Sequence, residues 1–260
     1  MASIYTLRNV SFRYESEWVL NGIDLTIDRG EVLGLIGPNG SGKTTLLKIL
    51  GRHRKPETGG VWLESEDLAR ISLSTLARRV SMVPQELPVA FPYTVLEMVL
   101  MGRYPHMKGW AFESADDHRI ARSAMERMGV DSFSDRLFTE LSGGEKQRVI
   151  IARALAQQAE VLLLDEPATF LDLHHQVEIY RLLGELNRQD RMTVVVVLHD
   201  LTMASQLCHR LLLLNEGRVF RLGTPPEVLT EKVIEEVYHC RTVIDAHPTT
   251  GHPRVTAIPD

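Results

Sequence analysis

The sequence predicts an α/β fold: buried strands covered by helices, preceded by a small antiparallel sheet and carrying a helical insertion. Three observations point to it. Residues 32–36, 161–164 and 193–198 are continuously apolar, as strands of a parallel sheet covered on both faces are, and residues 211–214 offer a fourth such run. The first thirty or so residues instead alternate in short apolar and polar stretches. From roughly 90 to 158 the periodicity is helical.

In chain order, the runs at 4–7, 10–12, 18–20 and 23–27 read as the strands of the small antiparallel sheet. The apolar strand at 32–36 leads through a glycine-rich turn into a helical run containing Leu46, Leu47 and Leu50. The basic run Arg52-His53-Arg54-Lys55 before Pro56 reads as a solvated turn. Within the insertion, Ile120, Ala124 and Met128 fall on one helix face, with Gly129 placed to end that helix. Ile179, Leu182, Leu183 and Leu186 form the packing stripe of a helix that follows Leu173.

Composition excludes several classes. A chain of 260 residues that is 44% apolar can fill one large core. The 29 basic and 34 acidic side chains leave a formal charge of -5, which argues against a nucleic-acid partner. The longest strongly apolar stretch, 192–198, is far short of the ~20 residues that span a bilayer, and the N-terminus does not read as an export signal. Two cysteines cannot build a disulfide framework, so a reducing cytoplasm is the expected compartment.

Chemistry concentrates at three places. Gly37-Pro38-Asn39-Gly40-Ser41-Gly42-Lys43-Thr44 fits G-x-x-x-x-G-K-S/T between a strand and a helix, the context this motif requires. Glycines let backbone N–H groups converge on phosphate oxygens, Lys43 adds a cation, and Thr44 offers a hydroxyl to Mg²⁺. Asp165 and Glu166 end a buried strand, where open α/β sheets bind ligands. Asp165 suits a water-mediated Mg²⁺ shell, and Glu166 suits a base that orients or deprotonates attacking water. Leu141-Ser142-Gly143-Gly144-Glu145-Lys146-Gln147 opens a third element. Ser142 and Glu145 have capping-box spacing, which alone explains a well-capped helix. Two glycines in the first turn cost about 1 kcal/mol each in helix propensity, a cost that fits a backbone lying against an anion.

Residues 141–147 resemble the signature of ABC-type ATPases, and the other motifs stand in that family's order over nearly the whole chain. The resemblance implies a P-loop NTPase fold: a RecA-like core with an N-terminal antiparallel β subdomain and an inserted α-helical signature subdomain. In a single domain of 260 residues, the core takes 1–88 and 159–225, the insertion 89–158, and a short tail 226–260. The implied ligands are ATP and Mg²⁺. Tyr14 matches the aromatic that stacks on adenine; Gly37 to Thr44, with Thr45, hold phosphates; and Thr44, Gln85 and Asp165 form the Mg²⁺ shell. Glu166, His199 and Gln85 are the implied catalytic set. Ser142, Gly143, Gly144, Glu145 and Asp172 complete the nucleotide contacts in a head-to-tail homodimer. Ala168 departs from the family, which more often has small polar residues before Leu171.

With no spanning segment, the implied membrane permease is a separate polypeptide, this chain is peripheral on the cytoplasmic face, and an extracytoplasmic substrate-binding protein is an indirect partner. Met101-Gly102-Arg103-Tyr104-Pro105-His106, Phe170 through Gln176, and the tail from Gly223 resemble importers of iron-siderophores, haem or cobalamin. An exporter ATPase, or a soluble one acting on ribosomes or DNA, is the alternative. Phe91 and Tyr93 form either a permease groove or part of the insertion's core. Neighbouring His174 and His175 are expected to diverge on a helix, which argues against a metal site, as does the spacing of His106, Cys240, His247 and His252. The tail is too short for a full regulatory domain.

Overall fold

A computed structural model describes residues 2–85, 87, 91–107, 113–169 and 171–259. Phe170 and the expected start of the insertion at 89 lie outside the described residues. The strands are β1 (Ser3–Tyr14), β2 (Glu17–Asp28), β3 (Val32–Ile36), β4 (Thr58–Leu63), β5 (Glu66–Asp67), β6 (Val80–Val83), β7 (Val161–Asp165), β8 (Thr193–Val197), β9 (Arg210–Asn215), β10 (Arg218–Gly223), β11 (Thr242–Ala246) and β12 (Pro253–Ala257). The helices are α1 (Lys43–Leu50), α2 (Leu73–Arg79), α3 (Val95–Leu100), α4 (Ala115–Arg127), α5 (Gly143–Ala156), α6 (Leu173–Asp190), α7 (Leu201–Leu207), α8 (Pro225–Val228) and α9 (Glu231–Tyr238). They pack as two units, residues through Ile71 with those from Leu183 onward, and Ser72–Leu182.

In the first unit the four short runs expected near the N-terminus merge into two 12-residue strands, β1 and β2, paired antiparallel. Bulges absorb the polar interruptions: at Asn9, with φ 48°, the backbone N–H donates to Asp24 Oδ1 at 2.9 Å instead of to the ladder. β4 pairs with the other edge of β1, and β5 with β4. The Tyr5 hydroxyl donates to Leu50 O at 2.9 Å, tying this sheet to the end of α1. β3 lies between β8 and β9, parallel to both, and β10 folds back antiparallel on β9. Every residue of β3 and β8 is buried, as their largely apolar sequences require. The tail is folded: β11 and β12 form a hairpin, and Ser205 Oγ of α7 donates to Pro253 O at 2.6 Å.

In the second unit β6 and β7 pair in parallel. Capping boxes at Thr94, Ser114 and Ser142 start α3, α4 and α5. The buried face of α4 is Ala121, Ala124 and Met125, with Ile120 only half-buried, and Gly129 at φ 61° ends the helix. Arg103, 5% exposed, donates to Asp117 Oδ1 at 2.9 Å, to Ala156 O at 2.7 Å and to Gln158 Oε1 at 3.0 Å. These bonds knit the segment after α3 to α4 and α5. On α6, Ile179, Leu183 and Leu186 are buried and Leu182 half-buried. Among the described residues, no helix is long and apolar enough to cross a membrane.

Candidate functional site

The first unit carries the loop between β3 and α1. Gly37 has φ 143°, and a Cβ there would lie 2.1 Å from Leu214 O. Gly42, at φ 101°, would drive a Cβ to 2.6 Å from Leu20 Cδ2. Only glycine fits either place. Lys43 is buried, and its Nζ donates to Gly37 O and Pro38 O, each at 2.8 Å, so the ammonium folds back over its own loop. Gly42 caps α1 without a side-chain bond, whereas Ser72, Thr94, Ser114 and Ser142 cap their helices with hydroxyls. No side chain of the cap residue therefore covers the first N–H groups of α1, which lie at the positive end of the helix dipole. Ser41 Oγ is buried with no hydrogen-bond partner, a group that a phosphate oxygen would satisfy. Thr44 is half-buried and Thr45 buried beside it. An uncapped helix start, a buried cation and an unsatisfied hydroxyl together fit a polyphosphate.

Tyr14 ends β1, is 40% exposed, and meets Phe12 edge to face at 4.9 Å. Burial raises its hydroxyl pKa, but hydrogen bonds with Arg54 and Thr45, aided by Lys48, leave it below the ordinary value. The Arg54 guanidinium lies 5.8 Å from the ring centroid, so the basic run is not merely a solvated turn. Arg52 likewise donates to Ile71 O and Ala69 O. His199, exposed, lies two residues after β8.

The second unit carries the acidic strand end. Asp165 is the buried last residue of β7. Glu166 adopts φ 50°, a left-handed conformation that a non-glycine residue holds only when its surroundings enforce it. Its Oε2 accepts from Gln85 Nε2 at 2.8 Å and from Thr169 Oγ1 at 3.2 Å. Gln85 and Glu166 thus lie together, and Thr169 is an addition that no motif pattern names. Ala168 is buried, which explains why a small apolar residue is accepted there.

At the start of α5 the Ser142 hydroxyl donates to Glu145 Oε2 at 2.7 Å and accepts from the Glu145 N–H, and the Ser142 N–H also donates to that carboxylate. This is a closed capping box. The Ser142 hydroxyl bond, first, holds the Glu145 carboxyl below its usual range. Ser142 and Gly143 are exposed, while Gly144 is buried under the His175 ring; a Cβ on Gly144 would lie 2.6 Å from His175 Cδ2. Asp172, exposed, accepts the His175 N–H on Oδ1 at 3.0 Å.

The histidines divide. His106 Nε2 bonds Gln157 O at 2.8 Å, and His247 Nδ1 accepts turn N–H groups from Thr249 and Thr250. His174 and His175, expected to diverge, instead both reach Glu178, because a residue one helical turn on neighbours both positions. In the insertion Phe91 is 64% exposed and Tyr93 half-buried, with ring centroids 6.0 Å apart. Phe91 is therefore no core residue.

Residues 20–169 match the ABC transporter family. A cobalamin import ATP-binding protein of Halobacterium salinarum is 39% identical over 242 residues, 93% of this chain, which spans 60% of that protein's length. An iron(3+)-hydroxamate import ATP-binding protein of Bacillus subtilis is 38% identical over 240 residues, 92% of this chain and 89% of its own. Among solved structures, an ABC transporter assigned to the metal-chelate type, in an inward-facing conformation, superimposes with TM-score 0.88 at 28% identity, covering 100% of this chain and 98% of that one.

Proposed function

The chain belongs to the ABC transporter family, and on that premise we propose that it is the ATP-hydrolysing subunit of an importer for a metal chelate of the iron-siderophore, haem or cobalamin class. The observation that carries the reading is the loop at 37–44, where a buried lysine and an uncapped helix start offer a ready cradle for phosphates. Tyr14 stacks on adenine. Lys43, Ser41 and the loop N–H groups hold the phosphates. Thr44, Asp165 and Gln85 supply the oxygen ligands that Mg²⁺ prefers, directly or through water, and the ion when bound adds positive charge against the phosphate oxygens. Glu166, fixed by Gln85 and Thr169, takes a proton from the attacking water as the bond to the leaving ADP oxygen breaks. His199 contacts the γ-phosphate.

One chain holds one set of motifs, so two copies meet head to tail. Ser142, Gly143, Gly144, Glu145 and Asp172 of one then complete the site of the other. Ser142 must leave its own capping box to reach a foreign phosphate, which makes the box a resting state. The functional division is a core at 1–88 and 159–225, an insertion at 89–158 and a tail at 226–260. The partner that ATP cleavage moves is a separate membrane permease, fed by an extracytoplasmic binding protein, and the chain sits at the cytoplasmic face. Its docking place is supported by a groove of about 340 Å³ lined by Met82, Met101, Tyr104 and Pro105 among others, with Tyr104 57% exposed.

The test uses cells deleted for this protein, supplied with a ferric siderophore, haem or cobalamin as sole source. Growth on one of them should fail. A Tyr104→Glu copy should not restore it, although the purified variant keeps its basal ATPase rate. If the deleted cells accumulate every such chelate normally, with no second ATPase substituting, the importer reading falls and an exporter moves ahead.

A further inference from the structure

We propose that His174, His175 and Glu178, at the start of α6, form a binding site for a divalent transition-metal ion of the zinc or cobalt type, separate from the Mg²⁺ residues. None of the three has a part in the hydrolysis described above, and the site stands whether or not that reading does.

Spacing brings the ligands together. Glu178 is four residues after His174 and three after His175, the two separations that place side chains side by side on a helix. The two carboxylate oxygens divide between the imidazoles: Oε1 lies 3.5 Å from His174 Nε2, and Oε2 lies 3.1 Å from His175 Nδ1. All three ligand atoms fall within 4.8 Å of one another. A tetrahedral zinc ion with bonds of about 2.0–2.1 Å needs its ligands roughly 3.3 Å apart. Closing the remainder takes a rotation of His174, whose side chain is 77% exposed and free to make it.

The other two ligands are held in place. The His175 ring fills the space that glycine leaves at position 144. Its Nε2, which carries the ring proton once Nδ1 binds metal, faces Asp172 Oδ2 at 4.0 Å. Glu178 Oε2 accepts from Arg148 Nη1 at 2.8 Å, an outer partner that orients the carboxylate and leaves Oε1 for the ion. Two imidazoles and one carboxylate select zinc, cobalt or nickel over magnesium, which prefers oxygen alone. A fourth position stays open to water. Through Gly144 and Arg148 the ion would pin the first turns of α6 to the start of α5.

The test uses the full chain without an affinity tag and without nucleotide, in excess Mg²⁺. Co²⁺ is titrated and followed by its visible ligand-field absorption; Zn²⁺ is titrated by calorimetry. One ion per chain should bind, at least about tenfold more weakly in His174→Ala and in Glu178→Gln, and equally well in His252→Ala, an exposed histidine elsewhere. His174 is exposed enough that its variant should fold; should Glu178→Gln fail to fold, His174→Ala decides alone. Absence of one-to-one binding below about 100 µM, or equal binding by wild type and His174→Ala, means an adventitious ion only and overturns the site.

Discussion

The loop after β3 and the turn after β7 both end a buried strand, yet they are built by different means. The loop is shaped by backbone: glycines where a Cβ would strike Leu214 O or Leu20, and a lysine folded onto the carbonyls of its own turn. The turn after β7 is shaped by side chains: a non-glycine residue at φ 50°, held by Gln85 from 81 residues earlier and by Thr169. A contiguous backbone device keeps its geometry by sterics. A device of distant side chains keeps its geometry only while each partner remains, so the two should fail differently.

The largest effect separates them. Lys43→Ala removes the buried cation from the proposed phosphate site, so ATP binding and hydrolysis should collapse together. Glu166→Gln keeps shape and removes the proposed base: hydrolysis should fall by roughly 10²–10⁴-fold while ATP affinity survives. Equilibrium ATP binding and steady-state phosphate release on both variants check the contrast. A Glu166→Gln chain that binds ATP as poorly as Lys43→Ala would erase it, and a Lys43→Ala chain with unaltered turnover would remove the loop from the mechanism.

A smaller effect tests how far the second device depends on its distant partner. Gln85→Ala deletes its hydrogen bond to Glu166 Oε2 and leaves that of Thr169. Hydrogen bonds to charged groups are worth about 1.5–3 kcal/mol, so kcat should drop roughly tenfold or more with KM little changed. If KM rises and kcat holds, Gln85 acts on nucleotide binding and not on the orientation of Glu166.

The same contrast explains what is legible in the sequence. The phosphate loop, the strands at 32–36 and 193–197 and the capping boxes are local: spacing, apolar runs and a hydroxyl three residues before an acid suffice. Gln85 and Glu166 could be paired only by family resemblance, because nothing within either segment points to the other. Thr169 carries no such signal, since a threonine in a turn has many local uses. The first sheet reads as four short strands because polar residues at bulges look like turns. β4 to β6 and the β11–β12 hairpin are short or half-exposed, and their patterns give little periodicity. Considered as a pair alone, His174 and His175 are expected to diverge; Glu178, one turn on, lies within reach of both.

The smallest effect on activity concerns Asp117, which lies in the helical part and has no place in the chemistry. Hydrogen bonds from the Ser114 hydroxyl, first, and from Arg103 lower its pKa from 3.8 to about 2. A carboxyl whose pKa is depressed by folding stabilises the fold when ionised. That contribution is complete above about pH 4 and is lost as pH falls through about 2. Asp117→Asn abolishes the ion pair with Arg103, whose side chain is only 6% exposed, and should cost about 1.5–3 kcal/mol of stability at neutral pH. Arg103 keeps its bonds to Ala156 O and Gln158 Oε1, so the variant should still fold and hydrolyse ATP at close to the normal rate. Urea unfolding at pH 7, 4 and 3 measures both quantities. The variant should start less stable and then lose less than the unmutated chain on acidification. Parallel pH curves for the two chains would mean that the Asp117 carboxyl is not the group being titrated, and that the rigidity of this region rests on its apolar face and on Arg103 alone.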